Sequence, residues 1–230
     1  MEKSPFSDII KVATALEGGA DEIVFVGASV LSLYVKDDGG STVRQTFDVD
    51  VVLHMATRLN AESMRLLLVS RGFQQSAEDA VVCRFRLSDV MVDILSTAET
   101  AWIPSNRWFL PGLDHAIELD CEGVRIKVLS LPYYIAAKWD AFESRGGSDP
   151  RFSQDFEDIA WLIDHVDDLP EQIDGADSVI RSHLLHIIGA ILRESAMLEA
   201  LESNMEAFTR TSRYASAIDR LRRIAKLGSR

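Results

Sequence analysis

The chain has 230 residues, 47% of them apolar, and a formal charge of −12, so it can bury a sizeable core but is too acidic for broad, non-specific attachment to nucleic acid. No run approaches the roughly 18 apolar residues of a membrane span, and the opening MEKSPFSDII carries charge and a proline, so the expected setting is cytoplasmic, with no membrane partner. Only two cysteines occur, Cys83 and Cys121, each inside a strand-like apolar run, which excludes a disulfide framework and a zinc cluster.

In chain order, an amphipathic segment over residues 6–17 ends at Gly18 and Gly19, and residues 22–26 read as a buried strand. Gly27, Ala28 and Ser29 follow at once and start a predicted helix to about residue 36, after which residues 37–41 form a loop. The next strand covers 47–53. Asn60 is expected to cap a helix through residue 70, and residues 80–95 read as a hairpin about Leu87, Ser88 and Asp89. Two more strands, 115–120 and 124–129, flank a turn at Cys121, Glu122 and Gly123. From Leu131 onward the period is helical, with helices predicted to residue 144, over 152–164, over 177–202 and over 205–227, and Pro132 suits a first helical turn. Residues 145–150 look like the loosest loop. The contrast predicts two domains, 1–130 and 131–230.

The last 26 residues carry seven basic side chains against two acidic ones, a net +5 that leaves −17 on the remainder. Such a helix reads either as a solvated face or as a contact for an RNA backbone or an acidic protein.

Candidate chemistry begins with Asp48 and Asp50, which share one face of their strand while Phe47, Val49 and Val51 take the other. A divalent cation would relieve their repulsion. Spacing alone proves little, since Glu118/Asp120, Asp120/Glu122 and Asp155/Glu157 have it too. Asp93 strengthens the case, because it stands in the otherwise apolar run Val90-Met91-Val92-Asp93-Ile94-Leu95. If Leu87 to Asp89 forms the turn, Asp93 lies opposite Cys83, and alternation sends Arg84 and Arg86 to the far side of the sheet, leaving a buried carboxylate that needs water or metal. Gly27, Ala28 and Ser29, between strand and helix, form a candidate phosphate cradle of free N–H groups, a close backbone and a hydroxyl. His183 and His186, three apart on a helix, lack a third ligand and read as packing residues. Trp102, Trp108, Trp139 and Trp161 read as core or rim aromatics.

Taken together, a strand ending in Gly27-Ala28-Ser29, a helix, the stretch Arg44-x-Thr46-x-Asp48-x-Asp50 and a later strand aspartate resemble the DNA polymerase beta type nucleotidyltransferase superfamily. The closer resemblance, over about residues 23–158, is to the AbiEii branch, the toxin component of type IV toxin/antitoxin systems, and to the mycobacterial MenA-type toxins. It implies an α+β fold, a polymerase-beta-like mixed sheet with flanking helices followed by a C-terminal helical bundle that closes a nucleotide cleft. Asp48, Asp50 and Asp93 would then hold Mg²⁺ or Mn²⁺. Ser29 would contact the NTP triphosphate beside Gly27, Ala28 and Arg44, and Lys138 and Asp155 would be catalytic, with Lys138 and Arg145 also on the phosphates. Two departures stand out, since Ala28 replaces a second glycine and Gln154 replaces the lysine that precedes the aspartate.

The implied reaction moves an NMP from an NTP onto an acceptor hydroxyl, releasing pyrophosphate, with RNA such as tRNA or a protein as acceptor and a cognate antitoxin as partner. A small hydroxylated molecule such as an antibiotic is the alternative acceptor. The two departures support a third reading, an inactive binding module.

Overall fold

The apolar runs of the first half become one mixed six-stranded sheet in the computed structural model, which describes residues 4–16, 23–35, 44, 46–54, 58–76, 79, 82–98, 103–145 and 149–228, with backbone only at 58–61. Gly18, Gly19, the loop at 37–41, Trp102 and residues 146–148 lie outside them. The described residues within Met1–Leu33 and Val43–Ser130 form one compact unit, and those within Tyr34–Thr42 and Leu131–Arg230 form another.

In the first unit, α1 (Ser7–Leu16) buries Ile9, Val12 and Leu16 and lies on the sheet. Then come β1 (Ile23–Val26), β2 (Asp48–Leu53), α2 (Arg58–Ser70), β3 (Arg84–Leu87), β4 (Val90–Ser96), α3 (Phe109–Leu113), β5 (Ile117–Cys121) and β6 (Val124–Val128). The strand order is β3-β4-β2-β1-β6-β5, with β1/β6 and β2/β4 parallel and the other pairs antiparallel. The central strands alternate as the sequence does. Val49, Val51, Val92, Ile94 and Phe85 are buried, whereas Asp48, Asp50, Asp93 and Arg84 turn to a half-open face.

Three local differences from the sequence reading have physical causes. Residues Ala28–Tyr34 form a 3₁₀ helix rather than an α-helix: Gly27 enters it at φ +76°, and Val30 N–H reaches back to the Gly27 carbonyl at 3.5 Å. The composition Ala-Ser-Val-Leu-Ser-Leu-Tyr gives an α-helix little intrinsic support. α2 starts at Arg58, ahead of the expected cap at Asn60. The hairpin turn holds only Ser88 and Asp89, because Leu87 pairs with Val90, and Ser88 takes φ 56°.

The second unit is built of α4 (Leu131–Ser144), α5 (Gln154–His165), α6 (Leu169–Asp174), α7 (Ser178–Arg193), α8 (Ser195–Ser203) and α9 (Arg210–Leu227), with a short 3₁₀ turn at Pro150–Phe152 before α5. α4 is buried on most sides, from Leu131 to Phe142, and packs on α5 and α7. The helix predicted over 177–202 is broken at Glu194, whose backbone is extended (φ −102°, ψ 117°). α7 is capped by Asp177, which accepts from the Val179 and Ile180 N–H groups. In α9, Arg213, Arg220 and Arg223 pair with Asp164, Asp167 and Glu171, so three of the seven terminal basic residues serve intramolecular pairs. Among the described residues no helix is long and apolar enough to cross a membrane.

Candidate active site

Strand register brings the three aspartates together. Asp50 is aligned with Asp93 across β2 and β4, and Asp48 sits two residues back on the same strand. One row across the sheet therefore reads Val26, Asp50, Asp93, Arg84. The last member corrects the sequence reading. A two-residue turn shifts the hairpin by one, so Asp93 pairs with Arg84 and not with Cys83, and the expected exclusion of an Arg84 salt bridge is overturned.

The Arg84 guanidinium grips Asp93 with Nε on Oδ1 and Nη2 on Oδ2, both at 2.7 Å, and Nη2 also reaches Asp48 Oδ2 at 3.0 Å. All three side chains are partly buried, so these charge-assisted bonds are only partly screened. The bonds to Asp93 hold the guanidinium well above its ordinary pKa, with the charges of Asp93 and Asp48 adding to the effect. Arg86, two residues on along the same face of β3, pairs with Asp79 instead. Nearby, burial pushes the Cys83 thiol up to about 11, helped by the charges of Asp93 and Asp50; both cysteines are buried and free.

The stretch before β2 serves the same cluster. Thr46 donates its hydroxyl to Asp48 Oδ1 at 2.7 Å, and Arg44 lies partly buried on the approach. Asp50 rests against the backbone of Gly27. A Cβ at position 27 would fall 1.9 Å from Asp50 Oδ2 and 2.7 Å from its Cγ, so only glycine lets the chain pass this close, and φ +76° adds a second reason. Gly27→Ala is therefore expected to cost about 1–2 kcal/mol through the left-handed backbone alone and to push Asp50 out of place; a thermal melt reads the first effect and a nucleotide-transfer assay the second. Beside it, Ala28 is buried, and Ser29 Oγ is buried without a hydrogen-bond partner, an orphan donor at the mouth of the 3₁₀ helix.

Would this set take a divalent cation? The donors are hard carboxylate oxygens, the kind Mg²⁺ and Mn²⁺ prefer, and the cluster already recruits a cation, the Arg84 guanidinium, between Asp48 and Asp93. Among the described residues no three His, Cys, Asp or Glu side chains converge as a ready ligand set. The donor chemistry, the close approach at Gly27 and the orphan hydroxyl of Ser29 fit a metal–phosphate group.

The second unit holds its own charged cluster. Lys138, on α4, meets Asp155 Oδ1 at 3.2 Å and Asp158 Oδ2 at 2.7 Å, and Arg145 binds Asp155 Oδ2 at 2.7 Å. Asp155 and Asp158 are buried on α5, while Arg145 is 72% exposed. Their spacing of three puts both carboxylates on the side of α5 that faces Lys138. In the sequence reading the resemblance placed Lys138, Arg145 and Asp155 at the nucleotide and did not include Asp158. Its placement inside an apolar helix, three residues from Asp155, was the available signal.

His183 lies 3.6 Å from Asp140, and Trp108, Trp139 and Trp161 are buried. Of the competing acid pairs, Asp120 accepts the Gly123 N–H at 3.0 Å and so shapes the turn between β5 and β6.

No protein-family model matches this chain, and no curated protein matches it. Among solved structures, a crystal structure of an antigenic nucleotidyltransferase-like protein from Paracoccidioides brasiliensis is similar at 17% identity, covering 89% of this chain and 95% of that one with a TM-score of 0.50. The solution structure of the antibiotic-resistance factor ANT(2'')-Ia is similar at 13% identity, over 84% and 97% of the two chains, with a TM-score of 0.49. The chain thus has a nucleotidyltransferase-like fold, an α+β arrangement of a mixed sheet and many helices. That likeness does not reach the AbiEii branch.

Proposed function

We propose that this chain is a metal-dependent nucleotidyltransferase that moves an NMP from an NTP onto an acceptor hydroxyl. The observation that carries the reading is the register that aligns Asp50 with Asp93 while Asp48 shares their face beside the glycine turn. Asp48, Asp50 and Asp93 would hold Mg²⁺ or Mn²⁺. Bound there, such ions neutralise triphosphate charge and lower the pKa of the acceptor hydroxyl. Gly27 keeps the backbone close enough for Asp50 to stand at the cradle, Ser29 Oγ donates to a phosphate oxygen, and Arg44 supplies a further cation. The acceptor hydroxyl gives up its proton to solvent as its oxygen attacks the α-phosphorus in line, the bond between α-phosphorus and bridging oxygen breaks, and pyrophosphate departs with the electron pair. Ala28 keeps its N–H for the cradle despite its methyl group. The proposal gives Lys138, Arg145, Asp155 and Asp158 the junction of α4 with α5.

RNA or protein is the acceptor class implied by the AbiEii resemblance, and a cognate antitoxin belongs to the same reading. One observation favours a small hydroxylated acceptor instead: three arginines of the terminal helix are spent on internal pairs, which removes much of the one basic stretch from an acidic chain. The test is to incubate the protein and Mg²⁺ with each labelled NTP against total tRNA, a protein extract and a panel of small alcohols. Label on one acceptor class with equimolar pyrophosphate is expected. No pyrophosphate, together with no metal-dependent NTP binding by calorimetry, would leave a binding module and end the enzymatic reading.

A further inference from the structure

Arg84 has no part in the reaction just described, yet it occupies the triad. Edge strand β3 delivers its guanidinium onto both oxygens of Asp93 and one of Asp48, while Thr46 takes the other Asp48 oxygen. A carboxylate oxygen has room for a second partner, but a monocation and a dication that share Asp48 and Asp93 repel one another at short range. The same strand shows that this placement is specific, since Arg86, two residues on, is sent to Asp79.

We propose that Arg84 is a resident counter-cation that competes with the divalent ion for Asp48 and Asp93. In the metal-free protein it holds carboxylates together that would otherwise drive β2 and β4 apart; when the ion binds, the guanidinium gives up Asp48 and keeps at most one oxygen of Asp93. The competition lowers affinity for metal alone, because the arriving ion must displace a bidentate, partly buried ion pair. Arg84 is a positioning residue in this sense, acting through the carboxylates. The proposal rests on the reading of the triad as a metal site.

Mn²⁺ titration followed by electron paramagnetic resonance, without nucleotide, tests it. Removing a unit charge a few ångströms from the ion in a partly screened site should tighten Mn²⁺ binding by roughly tenfold in Arg84→Gln. The same substitution should lower the metal-free melting temperature and widen the increase that Mn²⁺ produces. Arg84→Lys, which keeps the charge but cannot fork onto two oxygens, should fall between wild type and Arg84→Gln, and it carries the test if Arg84→Gln does not fold. Equal or weaker Mn²⁺ binding in the variant that folds, beside a wild type that binds, overturns the role of Arg84 and leaves the metal site standing. Absence of Mn²⁺ binding in wild type and variants alike overturns both.

Discussion

Asp50→Ala should abolish nucleotide transfer, by at least about 10³-fold as for other groups that stabilise developing charge, while leaving the fold intact and the melting temperature equal or higher. The two effects have opposite signs for one physical reason. Asp50 stands beside Asp93, two residues from Asp48, and the Arg84 guanidinium bridges Asp48 and Asp93. Deleting one like charge relieves repulsion in the metal-free protein, and deleting one ligand removes a contact on which the reaction depends. Asp50→Asn separates charge from shape, since it keeps the packing against Gly27; it should match the alanine variant in lost transfer. Asp48→Ala should behave alike in activity but should also free the Thr46 hydroxyl and one contact of Arg84. An unchanged transfer rate in either alanine variant sinks the proposed function.

Lys138→Met should cost the protein about 3–5 kcal/mol, the range for breaking a buried ion pair by removing one partner. Asp155 keeps Arg145, but Asp158, 0% exposed in its side chain, loses its ion pair with Lys138. Chemical denaturation with the metal absent measures the loss. The double variant Lys138→Met/Asp158→Leu removes both charges and should recover much of it, because two apolar side chains at the α4–α5 contact leave nothing to compensate. If the single variant proves as stable as wild type, the cluster does not hold α4 to α5, and its residues are released for another role.

The strands and helices were legible wherever the chain repeats with a clear period. Alternation in Asp48–Leu53 and Val90–Ser96 put the aspartates on one face correctly, because parity within a strand depends on nothing but the strand. What failed was parity between strands. The turn was read as three residues, and the true pair, Ser88 and Asp89, lacks the glycine that marks a tight hairpin, so Arg84 was placed on the wrong side. The alignment of Asp50 with Asp93 joins segments more than 40 residues apart and has no local signature; only the resemblance suggested it. Asp158 was missed for a different reason, since an acid near a helix start is explained well enough by the dipole until its burial is seen. The break at Glu194 had no glycine or proline to announce it.

Arg84 and Asp93 are nine residues apart on one hairpin, whereas Asp48 lies 36 residues before Arg84. Closing the shorter loop costs less chain entropy, so the β3–β4 hairpin is expected to form before β2 docks. In that order the first acid is neutralised before the two remaining acids arrive. The hairpin thus presents the incoming strand with a guanidinium rather than a bare anion, and like-charged partners assemble in an order that spares the folding chain their mutual repulsion.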